Sequence, residues 1–363
     1  MLPRPAAASL RNVCSSGGRC LDDLQALDMP VFLTDGVNRY NGSQGLLGRP
    51  FQRKALLMAD PHIAIIGKGA LGMLYGSMAA DALGEDAVTF AMDPARLARH
   101  AGDVCTVNGK VYPFRDRLPE EAGPQDLVIL ATKSYGLEGA LGLVPSLLGE
   151  KTKIVSVLTG IRSEEQVAAR FGWERIVPCV AQGMDAAHFG SALTYSKAGA
   201  LHIGRFENTP EEALAEVEDI LARAGIAHVV EPDIRYRMWA KFMLNVGINQ
   251  TCCAFGATYG EVYADKTSEL WRTFISAMRE VVAVAQAEGV ALTEQELSSY
   301  AALEETLDPS STPSMGQDRI NHHRTEVDEF SGEVMRRAQK HGILVPVNAF
   351  LNKRIRKIEA SCL

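Results

Sequence analysis

The stretch His62–Gly84, HIAIIGKGALGMLYGSMAADALG, leaves this chain few ways to fold. Ile63–Ile66 is a short run dominated by β-branched residues, which predicts a buried strand. Gly67, Gly69 and Gly72 follow at G-x-G-x-x-G spacing, and Ala70 to Leu83 reads as a helix closed by Gly84. Each glycine has a distinct use in such a turn. Gly67 allows the tight bend, Gly69 lets the backbone approach a diphosphate, and Gly72 lets helix and strand pack closely. The helix N-terminus then offers free N–H groups and a positive dipole end. Context strengthens the motif: a second strand, Ala87–Met92, ends on Asp93, where an acid can accept from a ribose 2′-OH. Arg96 and Arg99 lie just beyond and suit a 2′-phosphate. Asp93 before Pro94 is equally a helix N-cap.

The pattern continues as strands alternating with helices, the mark of βαβ units and a parallel sheet. Val104–Phe114 alternates about Asn108-Gly109, a type I′ hairpin dipeptide. Asp126–Thr132 and Lys153–Leu158 read as strands, the latter broken at Thr159-Gly160, and Arg175–Val180 as one more. After about Pro232 the texture becomes helical: Ile234–Phe255, Thr267–Glu288, Thr293–Thr306, Gln317–His341 and a short basic helix, Asn348–Ala360. The expected organisation is a non-native or unstructured extension over 1–58, an α/β domain over 59–231 and an all-helical domain over 232–363. The extension's three arginines and no acid up to Cys20 would also fit an organellar transit segment, with Met58 as the other candidate start.

Composition narrows the function classes. The formal net charge is −7 and there is no basic run, which argues against nucleic-acid binding. No apolar stretch is long enough to span a bilayer. The seven cysteines form no C-x-x-C and suit neither zinc nor a disulfide framework, so a reduced, cytoplasmic protein is expected.

Three further features carry chemistry. Lys133 directly follows a strand, at the sheet edge where such folds bind ligands; alternatively it is a solvated loop lysine. In WAKFMLNVGINQ, Lys241, Asn245 and Asn249 fall four residues apart, on one face of a helix otherwise rich in Phe, Met, Leu, Val and Ile. Two asparagines are poor choices for a solvated helix face, which favours a polar pocket. A partly buried lysine there has a lowered pKa and can exchange a proton near neutrality. In PSMGQDRINHHRTEVDEF, Ser314 precedes a helix along which Asp318, Glu326 and Asp328 are expected; a salt-bridged surface is the alternative for Glu326. Adjacent His322 and His323 in a helix would point about 100° apart, so no metal site is expected.

In IAIIGKGALG, LVILATKSYGLEGAL, MWAKFMLNVGINQTCCAFGATYGEV and PSMGQDRINHHRTEVDEFSGEVMRRAQKHGILVPVNAFL, the chain resembles the ketopantoate reductase (2-dehydropantoate 2-reductase) family from about Ala59 onward. The resemblance implies a Rossmann-type N-terminal domain and an all-α C-terminal domain of the 6-phosphogluconate-dehydrogenase kind. It implies NAD(P)H-dependent reduction of a 2-oxo acid, 2-dehydropantoate to pantoate, with NADP(H) as cofactor and a homodimer left open. Residue by residue, Gly67, Lys68, Gly69, Ala70, Leu71 and Gly72 would hold the diphosphate, with Asp93, Lys133 and Thr159 also on the cofactor. Lys241 and Glu326 would be catalytic, and Asn245, Asn249 and Ser314 would bind substrate. Two departures stand out. The family's N-G pair at the strand-end turn is Thr159-Gly160 here, and Asp93 stands where NADP-using members carry a basic residue, which keeps NAD(H) open.

Overall fold

The computed structural model describes residues 59–305 and 307–362. The expectations for the first 58 residues, and the end of the helix expected to reach Thr306, lie outside the described residues. The α/β part runs β1 (Ile63–Ile66), α1 (Ala70–Leu83), β2 (Val88–Ala91), α2 (Pro94–His100), β3 (Cys105–Val107), β4 (Lys110–Tyr112), β5 (Arg115–Arg117), α3 (Pro119–Ala122), β6 (Gln125–Leu130), α4 (Leu137–Leu143), β7 (Leu148–Ser156), α5 (Ser163–Phe171), β8 (Cys179–Met184), β9 (Ala187–Phe189), β10 (Ala192–Thr194), β11 (Ala198–Ile203), α6 (Glu211–Arg223) and β12 (His228–Val230). The helical part is α7 (Ile234–Phe255), α8 (Tyr259–Tyr263), α9 (Glu269–Ala287), α10 (Glu294–Glu304), α11 (Ser314–Ile320), a π-helical turn at Asp328–Gly332, α12 (Glu333–His341) and α13 (Pro346–Cys362).

Five parallel strands form the main sheet in the order β5-β2-β1-β6-β7. β1 is central, with Ile63 registered against Val88 on one side and Leu127 on the other. All four β1 residues are buried, because helices cover both faces. Residues of α1 and α6 pack on one face, and residues of α4 and α5 on the other. The faces change between β1 and β6, so the crevice at the carboxyl ends of those strands is the topological switch point.

Two smaller sheets, β4-β3-β10-β9 and β12-β11-β8, complete the α/β part. The β3–β4 hairpin turns through Asn108 and Gly109 at φ 48° and 81°, as the type I′ dipeptide requires. The strand expected over Arg175–Val180 begins only at Cys179. Ile176 makes a single bridge to Ile154, and Pro178, which lacks an N–H, interrupts the ladder before β8.

In the helical part, α7 is the axis around which the other helices gather. It is buried on most of its circumference, and an added Cβ at Gly247 would lie 2.5 Å from Met278 Cγ, so this glycine lets α7 and α9 approach closely. Gln250 pays no penalty for its complete burial: it donates to Val246 O and Asn348 Oδ1 and accepts from Ser331 N.

The helix expected over Gln317–His341 is three pieces. α11 starts at Ser314, behind Pro313, and ends at Ile320. His322 then takes φ 55° while His323 N donates to Asp318 O, closing the helix end. Thr325 anchors the following loop through its N–H and hydroxyl, both donating to Glu359 Oε1 at 2.7 Å. Glu326 therefore sits in a loop rather than along a helix. The chain resumes through the π turn, where Gly332 N donates to Val327 O at 3.0 Å, and enters α12. Arg337 of α12 is buried and donates to Glu333, to Glu288 after α9 and to Glu165 of α5, joining the helical part to the α/β part.

At the β1–α1 turn, Gly67 has φ +116°, and an added Cβ would lie 2.5 Å from Ala131 O; one on Gly72 would collide with the Gly67 carbonyl, while one on Gly69 meets nothing within 4 Å. Gly72→Ala should therefore lower unfolding free energy by about 2–4 kcal/mol. Gly69→Ala should change it by less than about 1 kcal/mol yet weaken dinucleotide binding. Urea unfolding and dinucleotide titration of the two variants check this; equal destabilisation would refute it.

Candidate functional site

The switch-point crevice begins with the glycine turn. Gly69 is the N-cap of α1 and contributes no side-chain cap, and no acid lies in the first turn. The first N–H groups of a helix have no intrahelical acceptor, so those of Ala70, Leu71 and Gly72 are left for an anion. The open space over Gly69 gives a diphosphate room to approach. The turn thus fits a dinucleotide. The Lys68 side chain is committed elsewhere: its ammonium donates to both Asp116 oxygens at 2.7 and 2.9 Å and lies 5.6 Å from the Phe90 ring centroid. Only its backbone remains for a ligand.

Asp93, at the end of β2, is the N-cap of α2. Its Oδ1 accepts from Arg96 N at 2.9 Å, and its Oδ2 is 3.5 Å from Arg96 Nε. The Arg96 guanidinium extends toward Gly136, beyond β6. Thr132 Oγ1, between β6 and Gly136, is buried without a hydrogen-bond partner. Thr159 and Gly160 follow β7, with Gly160 at φ +120° and facing Glu329.

Lys133 reaches across to the helical part. Its ammonium lies 3.1 Å from Asp318 Oδ2 and 3.4 Å from Glu326 Oε2, while Ser134 N donates to Glu326 Oε1 at 3.1 Å. Burial alone would lower Lys133, but the Glu326 and Asp318 carboxylates outweigh it and hold the ammonium above its usual range. Burial raises Asp318, and Lys133 offsets only part of that. Lys133 is thus an ion-paired loop residue rather than a free one, and Glu326 is 5% exposed rather than part of a surface face.

Lys241, on α7, is placed differently. Its ammonium donates to Ala181 O of β8 and has no carboxylate within hydrogen-bond distance. Burial lowers it to about 8, opposed weakly by the nearby Cys179 and Glu326. Asn249, two turns on, is 5% exposed; its Nδ2 donates to Asn245 Oδ1 at 3.3 Å, and its Oδ1 accepts from Ser314 Oγ at 3.0 Å and Met315 N at 3.2 Å. The polar stripe of α7 therefore faces β8 at Lys241 and holds the N-terminus of α11 at Asn249.

The crevice thus brings together one lysine with a lowered pKa, two amides, a hydroxyl and a carboxylate beside an anion-accepting helix start. Asp318 was legible as an acid one turn after Ser314, but its partnership with Lys133, 185 residues away, was not. The Ala181 carbonyl carried no signal, since every residue has one. Among the described residues no group of three or more His, Cys, Asp or Glu could hold a metal, and no helix is long and apolar enough to cross a membrane.

Two family profiles cover most of the chain: ketopantoate reductase PanE/ApbA over residues 63–208, and the ketopantoate reductase PanE/ApbA C-terminal domain over 233–359. A 2-dehydropantoate 2-reductase of Streptococcus pyogenes serotype M3 is 28% identical, across 67% of this chain and 79% of its own length. One from Pyrococcus abyssi is 27% identical, across 82% of this chain and 98% of its own. Among solved structures, D-mandelate dehydrogenase with NADH and anilino(oxo)acetate is similar at a TM-score of 0.72 and 25% identity, covering 83% of this chain and 99% of that one. These matches take in both the glycine turn and the α7–α11 contact, and the chain belongs to the ketopantoate reductase family of oxidoreductases.

Proposed function

We propose that this oxidoreductase reduces a 2-oxo acid to a 2-hydroxy acid, 2-dehydropantoate to pantoate in pantothenate biosynthesis, with NADP(H) at the glycine turn. The observation that carries the reading is Lys241: a lysine lowered to about 8 in the same crevice as a dinucleotide-fitting turn. A bound nicotinamide dinucleotide supplies the hydride to the ketone carbon. The Lys241 ammonium hydrogen-bonds the ketone oxygen, stabilises the negative charge that grows there, and delivers its proton as general acid. Its Ala181 acceptor aims it without neutralising it. Ser314 and the start of α11 hold the substrate carboxylate, with Asn245 orienting the acid. Asn249 and Glu326 take the substrate hydroxyl, and Glu326 is kept in position by Lys133 and the Ser134 N–H. Alignment of both reactants supplies much of the acceleration.

Thr159 in place of the family's asparagine, together with the likeness to D-mandelate dehydrogenase, favours one second reading: the same reduction on a different 2-oxo acid. Following nicotinamide absorbance over a panel of 2-oxo acids, with NADPH and with NADH, decides between them. A protein that oxidised neither cofactor with any acid would refute both.

Lys241→Ala should lower kcat by about 10²–10⁴-fold while leaving dinucleotide affinity within about twofold. Unchanged turnover would remove Lys241 from the chemistry.

The general acid must be protonated, so reduction should hold steady below its pKa and decline as pH rises through about 8. A kcat profile that is flat through that range would contradict this assignment.

At the ribose end, Asp93 is the residue that lets NAD(H) compete. Asp93→Arg removes a carboxylate facing the 2′ position and should raise the NADPH-to-NADH ratio of kcat/KM by about tenfold. An unchanged ratio would show that Asp93 does not read the ribose.

A further inference from the structure

Gln182 of β8 carries a buried side-chain oxygen, Oε1, that has no hydrogen-bond partner. An amide oxygen taken out of water without a donor is costly, and the few found in folded proteins call for an explanation. The neighbouring strand supplies none: Gln182 is registered against Ala200 of β11, whose side chain is a methyl group. The backbone has little freedom to turn the side chain elsewhere, since an added Cβ on Gly199 would fall 2.2 Å from Gln182 O.

The strand places this oxygen on the side of the chemistry. Side chains alternate along β8. Cys179 and Ala181 pack into the α/β core, whereas Val180 packs into the helical core around α7. Gln182 follows Val180 and faces the helical part. Its level is set by the parallel bridge between Ile154 and Ile176: Gly160 stands six residues after the first and Gln182 six after the second. Gln182 is therefore level with the Thr159–Gly160 turn, in the row of carboxyl ends that begins at the glycine turn. One residue before it, Ala181 O accepts from the Lys241 ammonium. The turn itself offers no amide, because Thr159 stands where the family has asparagine.

An unmet acceptor beside Lys241 selects a donor. On the reductase reading the ketone oxygen belongs to Lys241, and the substrate carboxylate can only accept. The substrate hydroxyl is held by Asn249 and Glu326. The nicotinamide carboxamide remains, and its amino group, like that of an asparagine, brings two N–H donors.

We propose that Gln182 anchors the nicotinamide carboxamide, with Oε1 accepting from the amino group, and thereby fixes which face of the ring meets the ketone. The inference rests on the reductase reading above and adds to it a positioning residue on β8. A ring turned over about its glycosidic bond would carry the carboxamide away from Gln182, so one contact governs both cofactor preference and the face from which hydride leaves.

The test compares wild type with Gln182→Met and Gln182→Ala, which remove the acceptor, and Gln182→Glu, which keeps one. The first arm measures Kd for NADPH and for its reduced 3-acetylpyridine analogue, in which a methyl replaces the amino group, by quenching of protein fluorescence with no 2-oxo acid present. Gln182→Met and Gln182→Ala should shrink the preference for NADPH by about tenfold, and Gln182→Glu should retain it. The second arm supplies NADPH deuterated on one or the other face of C4 and follows the label into the 2-hydroxy acid. Wild type should transfer it from one face only, and the variants lacking the acceptor from both. An unchanged preference, equal weakening of both dinucleotides, or equal binding of the two by wild type would overturn the proposal. Should either variant lacking the acceptor fail to fold, the other decides it. Failure of wild type to reduce any 2-oxo acid would refute the reductase reading, while the binding arm would still report on Gln182.

Discussion

One ammonium shared by two buried carboxylates holds the crevice in its working shape. Lys133 lies just after β6 of the parallel sheet, Asp318 in α11 and Glu326 in the loop after it. Neither carboxylate would be tolerable so deep without a cation, and their mutual repulsion makes the lysine's place between them compulsory. The Ser134 N–H adds a second, directional bond to Glu326. Through α11 the same lock reaches Ser314 and the Asn249 carbonyl, so the substrate-side pocket and the sheet edge are one hydrogen-bonded body. Arg337, with Glu165, Glu288 and Glu333, repeats the device farther from the chemistry.

The two lysines of the crevice show how environment divides labour between identical side chains. Lys133 faces carboxylates and is held above its usual range. Lys241 is more deeply enclosed and faces a carbonyl rather than carboxylates, and burial prevails. One is thereby a permanent cation that organises its neighbours, and the other a group able to lose its proton near physiological pH. Separated proton affinities of this kind are what acid–base chemistry requires.

Much of this was legible in the chain. The glycine spacing after a β-branched run, the Asn-Gly hairpin and the boundaries of α7 are local signals, set by backbone conformation or by periodicity, and the fold follows them closely. The stripe Lys241, Asn245, Asn249 was readable because amides are out of place on so apolar a helix. Three things were not. The break after Ile320 depends on His322 entering the left-handed region and on Glu359, 34 residues ahead, capturing Thr325. The late start of β8 is a matter of one proline. The partners of Lys133 lie far off in sequence, and an ion pair between distant residues leaves no periodic trace.

The π turn at Asp328–Gly332 sets the phase of everything after it. A π turn accommodates one residue more than the α-helical path, and each residue of an α-helix advances the face by about 100°. Shortening that turn by a single residue would rotate α12 by roughly this angle and swing Arg337 away from Glu165, unhitching the helical part from α5. Chain length is therefore rigidly constrained in this segment. Insertions and deletions accumulated over the family's divergence should avoid it.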